Sequence, residues 1–565
     1  EQRLGPLGKF FAWFNRVFNR TTDDYVSTAG VLIHKSGFAM IALGVAAVLA
    51  FLIAGRLPTG FLPQEDQGYL YVALQLPDAA SLQRTDAAAQ RVTKALLQTP
   101  GTQSVVGIDG DSLLTQVEST NTAFFFVTLK PWDLRKTRAE QIQAIQASVQ
   151  RKLAGVSEGI AFSFPPPAIP GIGTSGGVTM ILQDRSGNDD PTFLTRNVYA
   201  FLGALKTRSE IAAAVPSYLP AVPQLYAEVD RDKAAQQQVD LSSIYTTMQT
   251  FMGGYLVNYF NRFGRQWQTY VEAEGDTRTN IQNINQFYVQ SANGSQVPLG
   301  SLVHVNQVTG PEFILHFNEY GGAQINITGA AGYGSGQVHA ALEEVFRQTM
   351  PAGMGFSYSG MSFQEQRAAE GVPAWVIFGL SLLCVFLILA ALYESWSLPF
   401  SILLSTPMAV FGAFATLWLR IWLTRLFLSA SSVRIEDDVY FQIGLVMLIG
   451  LAAKNSILVV NFAKVEYEKG KPLVQAALDG ARLRYRPLMM TSIAFILGCV
   501  PLWTASGAGA IARQVIGTAV IGGMVVETFL GRFLVPAIFY VVEKLSGADV
   551  PAADLTPSLT QGHAK

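Results

Sequence analysis

Charge and cysteine are what this sequence has least of. Only 14% of its 565 residues are charged, against about 25% in a soluble chain, and the net charge is −1. No Lys/Arg-rich tract and no phosphate-cradling lysine loop occurs, so the sequence gives no case for nucleic acid or a basic partner. The Gly-rich stretch 171–177 (GIGTSGG) lacks that lysine and reads as a flexible connector. The two cysteines, Cys384 and Cys499, both fall in apolar runs. They suit neither a disulfide framework nor a CxxC metal site and read as small buried hydrophobes. Neither a metal set nor a cofactor motif is present.

Apolar residues, by contrast, make up half of the chain. Six runs reach the roughly 20 residues needed to cross a bilayer: 37–55, 373–393, 399–419, 441–463, 487–505 and 514–541. One run stands alone, then over three hundred residues intervene, then five runs follow closely. The long interval predicts a folded soluble domain. The loop 464–486 carries six Lys/Arg residues and the amino-terminal stretch five, whereas 420–440 has Arg420, Arg425 and Arg434. By the positive-inside rule both ends are cytoplasmic and the large domain lies outside the inner membrane. The sequence begins EQRLGPLGKFF without Met and without a cleavable signal, so it reads as a piece of something longer. Residues 7–18 (LGKFFAWFNRVF) read as an amphipathic helix, either interfacial or packed on a further part of the protein.

Lys454 sits near the centre of the fourth run. A lysine there costs about 2.5–3.5 kcal/mol and calls for a partner. The six runs contain a single acid, Glu527. Either Glu527 answers Lys454, or the partner lies outside this sequence. Glu527 and Arg532 interrupt the last run; on an α-helix they stand about 140° apart, which favours a structural role facing neighbouring helices over a second proton path.

In the soluble interval the periodicity alternates between two and about 3.6. Strands are predicted at 69–76, 103–108, 121–129 and 159–164, with helices at 82–97 and 139–153. This is a β-α-β-β-α-β module of the ferredoxin-like kind. A second module starts at Gly177, continues through a helix at 193–205 and a strand at 224–229, and closes with 325–329, 337–348 and 355–359. A third subdomain is inserted near 240–315. The fold class is therefore an α+β integral membrane protein with six transmembrane helices, one and then five. Its parts are an interfacial segment (1–36), a span (37–55), a first soluble subdomain (56–170), a second in two pieces (171–239 and 316–372), an inserted subdomain (240–315), five spans (373–541) and a cytoplasmic tail (542–565).

The segments FLPQEDQG (61–68), GMSFQEQ (360–366), ALYESWSLP (391–399), DVYFQIGLVMLIGLAAKNSIL (438–458) and RPLMMTSIAFILG (486–498) carry a resemblance over essentially the whole chain. They resemble the carboxy-terminal half of resistance-nodulation-division (RND) multidrug transporters, in the AcrB/MexB-like hydrophobe/amphiphile efflux subgroup. The resemblance implies a homotrimeric drug:proton antiporter of the bacterial inner membrane, working with a periplasmic adaptor and an outer-membrane channel and needing no cofactor. On the same resemblance, the first two soluble subdomains are porter subdomains and the inserted one docks a channel. It implies a proton relay in which Lys454, with Arg484 and Thr491, faces two aspartates of a span absent here. It also implies a substrate pocket at Phe124, Phe126, Phe162 and Phe164, with Ile108, Leu113, Tyr71 and Thr174, gated by a loop at 109–120. The sequence departs from the family at Asp111 and Leu113 in that loop, at Gly171 and Val215 near the entrance, and in a longer 419–436 link. Two rivals stand beside this reading. A heavy-metal RND exporter would line the cleft with thioethers, where Tyr71 and Ala73 stand instead; a truncated, non-transporting membrane subunit would lack the acids.

Overall fold

The computed structural model describes residues 6–187, 191–218, 220–330, 332–427 and 435–547. Two helices open it, α1 (Pro6–His34) and α2 (Ser36–Ala54). The first soluble module follows as β1 (Tyr69–Gln75), α3 (Leu82–Leu97), β2 (Thr102–Ser112), β3 (Val117–Leu129), α4 (Ile142–Leu153) and β4 (Ile160–Phe164). Its antiparallel sheet has the order β2-β3-β1-β4. Strand β1 alternates as the period of two requires: Leu70, Val72 and Leu74 are buried under α3 and α4, where Val92, Leu96, Ile145 and Val149 meet them. Each such side chain contributes about 1.5–3 kcal/mol by leaving water. Tyr69, Tyr71 and Ala73 occupy the other face.

The second module begins with β5 (Val178–Asp184), α5 (Pro191–Leu205) and β6 (Ile211–Pro216). The strand predicted at 224–229 forms as β7 (Val222–Val229) but does not belong to this module. After α6 (Arg231–Gln236), α7 (Leu241–Met248), β8 (Tyr255–Arg262), β9 (Arg265–Val271), β10 (Tyr288–Gln290), β11 (Gln296–Pro298) and α8 (Leu299–Leu302), the chain returns as β12 (Val303–Gly310), and β7 pairs with it. Alternation marks a strand but not its partner, which here lies some 80 residues on. Residues Tyr218–Ile314 form a compact unit of their own, cored by Ile244, Leu299, Leu302 and Val303. The module then closes with β13 (Leu315–Phe317), β14 (Tyr320–Gly329), α9 (Ser335–Thr349) and β15 (Met354–Tyr358). In its sheet β6 pairs with β14, β14 with β5, and β5 with β15.

After α10 (Gly360–Glu370) come α11 (Ala374–Tyr393), α12 (Ser397–Leu403), α13 (Thr406–Phe427), α14 (Val439–Glu468), α15 (Leu473–Trp503), α16 (Ala510–Val526) and α17 (Arg532–Leu545). With α2 they make six stretches long and apolar enough to cross a membrane, α12–α13 and α16–α17 each counting as one. Three expectations change. The run 399–419 is broken at Leu404 and Ser405, and α13 continues to Phe427, so the long link begins as an extension of the third span; 428–434 lie outside the described residues. Helix α15 starts 14 residues before the predicted 487, because charge ends an apolar run without ending a helix. The 7–18 stretch opens a 29-residue helix that packs on the spans. Tyr25 stacks on Tyr485 at 4.8 Å and meets Phe533 at 5.2 Å.

Specific bonds fasten the link after α2, to the soluble module on one side and to the spans on the other. Asp66 and Arg135 form a two-pronged ion pair at 2.9 and 3.2 Å, while Arg135 Nε also donates to Lys130 O. The neighbouring Glu65 carboxylate accepts from the Ile511 and Ala512 N–H groups at the start of α16, where unsatisfied donors favour an anion. The link after α2 is laced to the entry of α14: Asp437 N–H donates to Pro58 O and Gly60 N–H to Asp437 O. Glu436 is wedged beside Gly60 and Gly334, where added side chains would collide with its carboxyl. Burial, reinforced by the Asp438, Glu365 and Asp437 charges, pushes the Glu436 carboxyl from 4.5 up to about 8. The folded chain therefore holds this proton more tightly than the unfolded one. The resulting stability is fully present below pH 4.5 and is lost as pH rises through about 8. Thermal unfolding of the detergent-solubilised chain is expected to show this decline, and Glu436→Gln to flatten it; parallel curves for the two proteins would contradict the assignment.

Candidate functional site

Two groups of functional side chains were foreseen, and the structure treats them differently. The aromatic set is assembled by strand register. Tyr71 stands opposite Phe126 on β3 and Phe164 on β4, Ala73 opposite Phe124 and Phe162, and Ile108 opposite Phe124. All therefore share one face of the sheet, while Phe125 points into the core under the helices. The rings touch one another: Tyr71 lies 5.2 Å from Phe124, 5.3 Å from Phe126 and 5.7 Å from Phe164, and Phe124 meets Phe126 edge-on at 5.0 Å. Within the set Phe124 and Phe164 are buried, 2% and 5% exposed, whereas Tyr71, Phe126 and Phe162 are half-open. The first two anchor the face; the others present it.

The expected gating loop at 109–120 is mostly strand. β2 runs on to Ser112 and β3 starts at Val117, leaving a four-residue turn with Gln116 in the left-handed region, at φ 57°. A bulge at Asp109 to Asp111, with Gly110 at φ 85°, lets the hairpin bend. Leu113 and Leu114 thereby fold onto Phe124 and Phe164. Thr174, half-buried in the connector 171–177, makes no hydrogen bond that ties it to this face among the described residues.

Beside the exposed end of the face lies a hollow of about 460 Å³ lined by Tyr69, Tyr71, Phe126, Thr128, Lys130 and Trp132. Sequence reading missed Tyr69 and Trp132. Tyr69 was within reach, since the period of two that selects Tyr71 selects it too. Trp132 follows the strand in a short turn and carries no periodic signal; its indole N–H is buried without an acceptor among the described residues. Aromatic walls with few polar atoms give large contact area without strict hydrogen-bond geometry.

The second group sits in the spans. Lys454 lies halfway along α14 and is exposed, although Ala452, Ala453 and Ser456 around it are buried. Among the described residues no acid stands within ion-pair distance of it. Glu527 does not answer it: that carboxyl is buried beside Arg532 in the last span. Asn455 Nδ2 donates to Ser492 Oγ at 3.3 Å, and Ser456 Oγ meets Ser405 Oγ at 2.7 Å. The first of these bonds joins the neighbours of Lys454 and of Thr491, so those two side chains flank one contact between α14 and α15. Thr491 is exposed and its hydroxyl donates to Leu488 O. Arg484 stacks on Phe462 at 3.5 Å. Phe462 is eight residues past Lys454, about 12 Å along the axis, so the structure brings Thr491 to the level of Lys454 but not Arg484.

A profile of the AcrB/AcrD/AcrF family matches residues 1–543. The chain is similar to the multidrug/solvent efflux pump membrane transporter MepB of Pseudomonas putida, 36% identical over 555 residues, covering 97% of this chain and 51% of that protein. The multidrug export protein AcrF of Escherichia coli K12 is 36% identical over 546 residues, covering 95% and 50%. The multidrug resistance protein MdtF of Escherichia coli O157:H7 is 36% identical over 542 residues. The chain spans about half the length of the curated relatives it matches.

The division of the aromatic face into anchors and walls is measurable. Phe126→Ala is expected to weaken binding of an apolar dye to the purified chain at least about tenfold, roughly 1.4 kcal/mol. Phe164→Ala instead should cost about 3–5 kcal/mol of stability. Dye polarisation and thermal unfolding read the two; a Phe126→Ala protein with unchanged dye affinity would return the face to a purely structural role.

Proposed function

This chain belongs to the AcrB/AcrD/AcrF family of transporters, and from that premise we propose that it is the porter and relay half of a proton-driven exporter of hydrophobic and amphiphilic compounds. The observation that carries the reading is Lys454: an exposed ammonium at mid-span with no acid within reach among the described residues. A charge so placed is stabilised only by a partner outside the surface that this chain buries. In the complete pump that partner is a carboxylate pair on a span this chain does not contain. Protonation of the pair releases the lysine, deprotonation recaptures it, and the movement is what α14 passes on. Thr491 shares the Lys454 contact and orients it, while Arg484 acts nearer the cytoplasmic end.

The exported compounds lodge against Tyr71, Phe126 and Phe162, beside Tyr69 and Trp132. Aromatic rather than thioether walls support organic amphiphiles over soft metal ions. The strand orders support reading both modules as ferredoxin-like porter domains, and Tyr218–Ile314 as the docking unit toward an outer-membrane channel. The assembly is a homotrimer of the inner membrane with a periplasmic adaptor. It is a secondary active transporter and not an enzyme. The rival subunit that transports nothing rests on the same unpaired lysine, and one experiment separates the two. In the complete protein, Lys454→Ala is expected to abolish proton-coupled dye export from loaded vesicles while leaving the trimer intact. Export that survives the substitution overturns the relay.

A further inference from the structure

The last span holds a polar cluster that the relay does not use. Between α16 and α17, residues Glu527–Gly531 form one π turn, closed by the Arg532 N–H to Glu527 O bond. Such turns are rare and recur at functional sites. Glu527 is residue 18 of the 36 in this span, counting from Ala510, and is 1% exposed. Its Oε2 has no hydrogen-bond partner among the described residues, nor has the hydroxyl of the equally buried Thr528. The carboxyl folds over Gly531, where any added side chain would occupy its place.

The π turn also revises the relation between Glu527 and Arg532. On an α-helix five residues separate them by about 140°; a turn closed from residue i to i+5 brings the fifth residue back toward the side of the first. Arg532 is the charged group that Glu527 feels, yet among the described residues no ion pair joins the two. The Arg532 guanidinium lies instead over the Tyr485 ring at 5.4 Å and donates to Met489 Sδ, and its Nε has no partner among the described residues. The Tyr25 hydroxyl donates to Arg532 O. The elements packed here carry other charged residues. Helix α13 has Arg420 and Arg425 toward its far end, and α14 has Lys454 on its exposed side and Lys464, Glu466 and Glu468 beyond it. Helix α15 has Asp479, Arg482, Arg484 and Arg486, of which Arg484 lies on Phe462 and Arg486 over Phe18. Helix α1 has Arg20, Asp23 and Asp24, of which Asp23 pairs with Arg482, and α17 has Glu543 and Lys544 at its end; α2 and α12 carry none.

We infer that Glu527 is a proton-binding site separate from the Lys454 relay. One proton from water adds to the carboxylate, forming an O–H bond and breaking none in the protein. The neutral acid suits the arrangement observed, in which Arg532 stays on Tyr485. Loss of the proton leaves a buried anion whose open Oε2 draws Arg532 off that ring, and with it the contact of α17 with Tyr485 and Tyr25. The site takes a proton where a metal ion would be opposed by Arg532 and by the shortage of oxygen ligands.

Infrared difference spectroscopy across a pH titration, on the full chain in lipid nanodiscs, tests this without requiring export. Failure of the Lys454 relay therefore leaves it standing. The difference between wild type and Glu527→Gln is expected to contain one protonated-carboxyl stretch that grows as pH falls. Glu527→Asp, which keeps the acid on a shorter arm, should shift that band, and serves if glutamine prevents insertion. A spectrum unchanged by Glu527→Gln, a band unmoved by Glu527→Asp, or a band that ignores pH overturns the inference.

Discussion

A bilayer offers no hydrogen bonds, so each polar group in a span must find its partner in protein, and the arrangement of these six spans follows from how they meet that demand. Most of it is met by close approach. Gly480 lies against the Ala463 backbone, Gly517 against Trp503, and Gly412 and Gly522 against one another's helices; at each, an added Cβ would fall within 3 Å of backbone. Small residues let helices touch without side-chain spacers, and the hydroxyl and amide pairs Ser405 with Ser456 and Asn455 with Ser492 close across the contacts so made. Arg420 is satisfied in the same manner by Thr518, Gln514 and the Trp503 ring. Against this background the unsatisfied groups stand out. Lys454 is left open toward the outside of the bundle, and Glu527 with Thr528 toward its inside.

That contrast separates two kinds of cost. An exposed mid-span ammonium can be met by a partner that docks on it from outside this chain, as the proposed function has it. A buried carboxyl with an open oxygen has no room for a docking partner and is solved by neutralisation. The same physics separates the two proposals, Lys454 awaiting a partner from outside this chain and Glu527 taking up a proton within it. Neither assignment depends on the other, because their surroundings share no charged group among the described residues.

Much of this was legible beforehand. Helix α3 falls at the predicted 82–97, and the apolar runs locate all six spans, because both signals are local and repeat many times. The aromatic face was legible too, since alternation alone sends Phe124 and Phe126 to one side and Phe125 to the other. What failed was non-local or conformational. The partner of β7 lies 80 residues away, and the extent of α15 is hidden by Arg482, Arg484 and Arg486, which interrupt hydropathy without interrupting hydrogen bonding. The π turn could not be read because angular reasoning presumes 100° per residue, and the separation of Glu527 and Arg532 changes once that presumption lapses.

The stitching between soluble module and spans bears on how movement in the bilayer reaches the aromatic face. Helix α14 begins at Asp438, whose carboxylate accepts from Phe441 N–H, and the residue before it is bonded through its backbone to Pro58 and Gly60. From Gly60 only a few residues lead to Glu65, clamped on the start of α16, and to Asp66, clamped on Arg135. Then comes β1, with Tyr69 and Tyr71. Two spans therefore grip one short segment at two points, and that segment runs straight into the strand that bears the aromatic wall. A shift of α14 relative to α16 acts on both grips at once, the backbone bonds of Asp437 and the Glu65 carboxylate on the α16 N–H groups. The next residue along, Asp66, is held in the module by a buried ion pair whose loss of one partner costs about 3–5 kcal/mol. The chain leads from these grips straight into β1, so a few residues connect the helix that carries Lys454 with the strand that walls the hollow beside Tyr71 and Trp132.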